Sequence, residues 1–223
     1  MNKINKESRA AREIIDELLK RKPNNNKEVE RIKRSICSRH SIRLLTNPEI
    51  LLHAKSSEYL ALRELLRIKP IRTSSGVSVV AVMTSPWPCP HGKCIYCPGG
   101  INSIFGDTPQ SYTGLEPAAR RGLRNDYDAF LQVMNRLEQY IAAGHYPQKL
   151  EVIVMGGTFT ARPRSYKYQF IRDIYLGANV FGELFYTSQG VDLEAYKEFF
   201  AVSYTHLRAH ETRHDLVCRL LLE

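Results

Sequence analysis

Two β-branched runs constrain this chain more than any other feature. Residues 76–83 read Gly-Val-Ser-Val-Val-Ala-Val-Met, and residues 149–155 read Lys-Leu-Glu-Val-Ile-Val-Met. Both have the length and composition of strands, and a long helical pattern lies between them. The order strand, loop, helix, strand predicts a βαβ unit, in which the two strands run parallel under a covering helix. In such units chemistry collects at the carboxyl ends of the strands. The predicted fold class is therefore α/β.

The loop leaving the first strand carries three cysteines within nine residues: Cys89, Cys94 and Cys97. Three thiolates on one loop can hold three irons of a four-iron cluster and leave the fourth iron open for chemistry. Zinc is the competing reading and needs a fourth ligand. His91 is close, but it falls inside the first gap, and no second Cys-x-x-Cys exists. Disulfides would leave an odd thiol in a chain with no other secreted character. Tyr96 places a ring next to Cys97, and Pro98-Gly99-Gly100 lets the backbone turn tightly. The second strand ends in Gly156-Gly157-Thr158, a turn that alone is weak evidence and gains weight from the cysteine loop.

The chain has a net charge of +9. Residues 1–72 hold 18 Lys and Arg against 9 Asp and Glu, and the rest hold 14 of each, so all the excess lies in this segment. Such a patch suits phosphates or a solvated helical surface. Lys20, Arg21, Lys22, Lys33 and Arg34 are the expected nucleic-acid contacts. Helices are predicted from Ser8 to about Lys22, after Pro23-Asn-Asn-Asn26, after Asn47-Pro48, and from Ser57 with Leu60, Leu65 and Leu66 inward. One helix is expected from Pro117 to about Ala143, with Leu123, Tyr127, Phe130, Met134, Leu137 and Ile141 on one face and Gly144 past its end. Shorter helices are expected at about 165–176 and 192–200.

Ordered runs along the chain carry a family resemblance: Lys69-Pro-Ile-Arg-Thr73, Cys89-Pro-His91, Cys94-Ile-Tyr-Cys-Pro-Gly-Gly100, Gln110-Ser-Tyr-Thr-Gly114, Glu116-Pro117, Gly144-His145 and Ile153-Val-Met-Gly-Gly-Thr-Phe159. Over roughly residues 45–200 the chain resembles radical S-adenosylmethionine enzymes, and more narrowly the family of the Elongator catalytic subunit, which carboxymethylates the wobble uridine of tRNA. The resemblance implies a basic helical tRNA-binding module at 1–72 and the first units of an incomplete radical-SAM (β/α) partial barrel at 73–200. It implies a 4Fe-4S cluster on Cys89, Cys94 and Cys97. S-adenosylmethionine would lie near Tyr96, Gly156, Gly157 and Thr158, and acetyl-CoA, the cosubstrate, near Lys149. The implied activity is acetyl-CoA-dependent carboxymethylation at C5 of uridine. The implied partners are tRNA and either a second copy or Elongator-like proteins. The alternative is a tRNA-binding iron–sulfur module without turnover. No apolar run approaches twenty residues, and free thiols suit a reducing cytoplasm, so no membrane is expected.

Residues 201–223 are read separately. They contain His210-Glu-Thr-Arg-His214, a zinc-peptidase pattern when it lies on a helix. They also resemble translated sequencing-adapter read-through. The expectation is a tail foreign to the fold, no metal role for its histidines or for Cys218, and a fragment without complete turnover.

Overall fold

The computed structural model describes residues 3–206, with side chains from 6 to 200; the His-Glu-x-x-His run, Cys218 and most of the expected tail lie outside the described residues. Four helices come first: α1 (Lys3–Arg21), α2 (Asn26–Arg39), α3 (Asn47–Leu51) and α4 (Ser56–Leu66). Ser8 is interior to α1 and not its cap. Asn25 caps α2 by accepting the Glu28 N–H at 2.9 Å. At α3 the cap is Thr46 and not Asn47, with Glu49 completing a capping box. In α4 the inward residues are Tyr59, Leu62 and Leu66, whereas Leu60 is exposed.

Lys33 has a different role from the one its charge suggests. It is 3% exposed, and its Nζ donates to Glu30 at 2.7 Å and Asn47 at 2.8 Å. Asn47 in turn donates to the Leu66 carbonyl at 2.9 Å. This cation links α2, α3 and the end of α4, and its burial leaves almost no surface for a phosphate. Its helix neighbours Val29, Ile32 and Ile36 are buried too, as the periodicity predicts.

Strands β1 (Val77–Met83) and β2 (Lys149–Met155) pair in parallel, in register from Val77 opposite Lys149 to Met83 opposite Met155. Between them come α5 (Pro117–Arg124) and α6 (Ala129–Ala142). The single helix predicted here is two. Asp126 and Tyr127 take left-handed φ values of 49° and 56°, and Asp128 starts α6 by accepting the Leu131 N–H at 2.8 Å. Leu123, expected inward, is therefore exposed, while Phe130, Met134, Leu137 and Ile141 are buried. After β2, α7 (Arg164–Phe185) runs well beyond the predicted stop. Its Gly177 allows the overrun to pack, since a Cβ there would meet the Phe130 carbonyl of α6 at 2.9 Å. A hairpin, β3 (Tyr186–Thr187) with β4 (Gly190–Val191), and α8 (Leu193–His206) follow.

One continuous core joins the helical segment to the βαβ unit. The Tyr59 hydroxyl of α4 donates to the Ile141 carbonyl at 2.7 Å, across that junction. The two-stranded sheet is asymmetric. Along the edge of β1 away from β2, side chains take the backbone groups: Tyr140 donates to the Val79 carbonyl at 2.9 Å and Arg121 to the Ala81 carbonyl at 2.7 Å. Gln132 both accepts from the Met83 N–H and donates to the Met83 carbonyl, each at 2.8 Å. One face of the sheet lies under the helices and buries Val80 and Val82; on the other, Val79 and Ile153 are exposed, as an apolar face without cover would be. No described helix is long and apolar enough to cross a membrane.

Candidate functional site

The carboxyl ends of β1 and β2 are locked level with each other. The Thr84 N–H donates to the Met155 carbonyl at 2.8 Å, and the Thr84 hydroxyl to the Gly156 carbonyl at 3.0 Å. From this common edge the two predicted loops depart, and they meet again at Cys89, whose Sγ lies 3.4 Å from the Thr158 hydroxyl. The strand-end turn and the cysteine loop are thus one site, as the βαβ order requires.

The glycines of this turn serve the protein's own packing. Gly156 and Gly157 have φ of +115° and +69°, which L side chains resist. A Cβ on Gly156 would fall 2.3 Å from the Thr84 hydroxyl, and one on Gly157 2.9 Å from Gln110 Cβ. Gly99 is tighter still: its Cβ would overlap the Tyr112 carbonyl at 1.7 Å. These residues let three backbone segments close around the thiols.

Each thiol has its own partner. Cys97 is buried and lies 3.3 Å from the Ser111 hydroxyl, whose hydrogen bond holds the thiol below its usual pKa. Cys94 lies 3.1 Å from His91 Nε2. Tyr96, 81% exposed, bonds to Cys94, and this raises the phenol's pKa. The backbone turns once between Cys89 and Gly92, and again between Cys94 and Cys97, through bonds of 3.0 Å each. None of the three is in a disulfide. Among the described residues no three His, Cys, Asp or Glu groups are gathered tightly enough to hold a metal ion. The donor set still fits an iron–sulfur cluster in kind: three soft thiols on one loop, none in a disulfide and one with a lowered pKa, beside a glycine turn. Ser111, Gln110 and Thr108 were not singled out from sequence. They lie in or beside the run Gln110–Gly114, whose resemblance was visible although its role was not.

A buried arginine braces the approach to the loop. Arg162, 4% exposed, donates to the Ser85 hydroxyl at 3.2 Å and to the Ser85 carbonyl. Its guanidinium stacks 4.3 Å from the Tyr166 ring and 5.1 Å from that of Trp87. Lys149, by contrast, is the first residue of β2. Six residues at about 3.3 Å each separate it from Met155 by roughly 20 Å, so it is not gathered with the thiols.

Of the expected nucleic-acid contacts, Lys20, Arg21, Lys22 and Arg34 are exposed and Lys33 is not. Arg21 pairs with Glu17 on its own helix. A shallow groove along α2 is lined by Asn26, Lys27, Glu30, Arg31, Arg34 and Ser35. Lys27, Arg31 and Arg34 fall at helical i, i+4, i+7 spacing, a signal the sequence held and the charge count alone obscured.

Known proteins match this chain in sequence. The model of the ELP3 N-terminal domain matches residues 7–74. A protein named tRNA uridine(34) acetyltransferase from Methanocaldococcus jannaschii is 52% identical over 161 residues, 71% of this chain and 30% of its own. Elongator complex protein 3 of Drosophila melanogaster is 42% identical over 173 residues, 73% of this chain and 31% of its own. Human Elongator complex protein 3 is 51% identical over 115 residues, 49% of this chain and 21% of its own. The chain spans about a third of the length of curated relatives such as these.

Proposed function

We propose, from the premise that this chain carries an ELP3 N-terminal domain and is homologous to proteins named tRNA uridine(34) acetyltransferase and Elongator complex protein 3, that it holds the RNA-binding and cluster-binding parts of a tRNA uridine-modifying enzyme. One observation carries the chemistry: the 3.4 Å meeting of Cys89 with Thr158, which brings a three-thiol loop to a glycine turn at the carboxyl edge of a parallel sheet. Cys89, Cys94 and Cys97 would hold a 4Fe-4S cluster. Bound there, such a cluster supplies the electron for reductive cleavage of S-adenosylmethionine.

The chain's own residues prepare that site. Ser111 holds the Cys97 thiol below its usual pKa, and His91 and Tyr96 orient Cys94. Gly156, Gly157 and Thr158 would present backbone groups and a hydroxyl to the amino-acid end of S-adenosylmethionine, and Tyr96 would supply an aromatic ring to the same site. Arg162 and Thr84 fix both loops to the sheet, so the thiols do not wander. Lys20, Arg21, Lys22, Lys27, Arg31 and Arg34 form the phosphate-facing surface for tRNA. The reaction we assign to the whole protein is acetyl-CoA-dependent carboxymethylation of uridine at C5 in the cytoplasm, with Lys149 offered to acetyl-CoA from the far end of β2.

Anaerobic reconstitution tests the cluster. About four irons and four sulfides per chain are expected, lost on Cys89→Ala, Cys94→Ala or Cys97→Ala and kept on Cys37→Ala. Cys37 lies in the helical core, 3% exposed, far from this chemistry. One bound zinc and no iron would refute the cluster.

A further inference from the structure

Between Gly100 and Thr108 the cysteine loop extends a short finger. Its roots are tied together: the Thr108 N–H donates to the Gly100 carbonyl at 3.3 Å, and the Gly100 N–H to the Thr108 hydroxyl at 2.8 Å. Cys97 stands three residues before one root. Ser111, its hydroxyl partner, stands three after the other. The finger is therefore fixed to the thiol site from both sides.

Polar groups staple the finger internally. The Asn102 N–H donates to the Asp107 carboxylate at 2.8 Å, and the Ser103 hydroxyl to the Gly106 carbonyl at 2.7 Å. The Phe105 N–H donates to the Ser103 hydroxyl at 3.2 Å, and the Gly106 N–H to the Ser103 carbonyl at 3.0 Å. Asn102 and Gly106, at φ of 54° and 79°, absorb the left-handed positions. The tip is Ile104, 92% exposed, and Phe105, 43% exposed. Turn tips ordinarily carry Gly, Asn, Asp or Ser. Here those types build the support, and the two large apolar residues are what it presents.

Resting on the RNA-modifying reading above, we propose that Ile104 and Phe105 form a wedge. It enters the base stack of the RNA beside the target uridine and takes the place of the stacking partner that uridine gives up. Addition to C5 comes over the face of the ring, which a stacked neighbour covers, so an enzyme acting there must draw the uridine out of the stack, at a cost in unstacking. Apolar side chains inserted between base steps supply that unstacking in other nucleic-acid complexes. The finger is short: four residues at most about 3.5 Å each bound Ile104 to within roughly 14 Å of Gly100, so the tip stays within a few base steps, at about 3.4 Å each, of the thiol loop. RNA is favoured over a partner protein because the finger is rooted in the thiol loop, beside the site that the substrate uridine must reach.

The test uses the full chain and an anticodon stem–loop RNA with 2-aminopurine next to the target uridine. Wild type and Ile104→Leu are expected to raise the fluorescence about threefold on binding, as the stack opens. The Ile104→Ser, Phe105→Ser double variant is expected to bind within about twofold of wild type, since phosphate contacts set that affinity, and to raise fluorescence by less than about a third. Circular dichroism melting checks its fold. Ile104→Ser alone gives the same readout at smaller amplitude if the double variant melts early. A full fluorescence rise with the double variant, or none with wild type bound, overturns the wedge while leaving RNA binding intact. A double variant that keeps the rise but loses self-association in sedimentation assigns the tip to a protein contact and also overturns it. No RNA binding by any form removes the functional reading and the wedge together, at the binding step.

Discussion

Replacing Gln132 by Leu tests whether the edge of β1 is held as described. Gln132 and Met83 are both fully buried, and two bonds of 2.8 Å join the amide to both backbone groups of Met83. Leucine keeps most of the volume and removes both bonds, so an N–H and a carbonyl are left buried without partners. Each such loss costs about 1–3 kcal/mol, and the apolar side chain recovers part of it, giving a net of about 3 kcal/mol. That is a sizeable share of a domain's stability. With a urea slope of about 2 kcal/mol per molar, the unfolding midpoint should fall by about 1.5 M. Gln132→Glu adds a sign to the test. A carboxyl buried against the Met83 carbonyl will have its pKa raised above the unfolded value, so the folded state binds the extra proton. Its stability is then greatest at low pH and declines as pH rises from about 4.3 upward, by at most about 1.4 kcal/mol per unit. The assay is urea unfolding at pH 5 and pH 8. A Leu variant whose midpoint stays within about 0.3 M of wild type, or a Glu variant more stable at pH 8 than at pH 5, would show that the clamp does not hold β1.

Further outcomes follow from other contacts. Neutralising Lys20, Arg21 and Lys22 should flatten the salt dependence of RNA binding by about 0.7–0.9 log units per lost phosphate contact and leave stability unchanged; filter binding across salt measures it. Lys33→Ala should do the reverse, costing about 1–3 kcal/mol in unfolding and leaving the salt slope alone. Glu49 is held down to a pKa of about 2, first by its hydrogen bond to Arg43. Its contribution is therefore present above about pH 4.5 and lost as pH falls toward 2, and Glu49→Gln should make acid unfolding less steep in that window. Tyr59→Phe removes a donor shared by the Ile141 and His145 carbonyls and should cost about 1–2 kcal/mol.

The sequence made β1, β2 and their loops legible because strand composition, cysteine spacing and glycine pairs are local signals. It hid what depends on tertiary contact. The α5–α6 break was masked because Leu123, Tyr127 and Phe130 keep helical spacing straight across it. Only the Asn125–Asp128 run hinted at the cap that Asp128 provides. Lys33 read as surface because charge counting ignores helix phase, whereas its neighbours Val29, Ile32 and Ile36 already marked that side as inward. The helix expected to end near residue 176 runs on to Phe185, because the missing Cβ of Gly177 lets α6 approach, a contact the local pattern does not report. The pairing of Ser111 with Cys97 spans fourteen residues of irregular loop, and no periodicity reports such a contact.

The in-register pairing of β1 with β2 makes the site's geometry a matter of whole steps. Cys89 and Thr158 hang from two strands whose last pair is Met83 opposite Met155. Strands can slip only by units of their own repeat: one residue turns every side chain to the opposite face, and two carry one loop about 7 Å past the other. A contact of 3.4 Å cannot survive either. Damage to the strand interior, at Val80 or Val82, should thus leave a population divided between competent molecules and inert ones. Iron content after reconstitution should fall by headcount in such variants, with some molecules fully loaded and the rest empty, and not through a gradual loosening shared by every molecule.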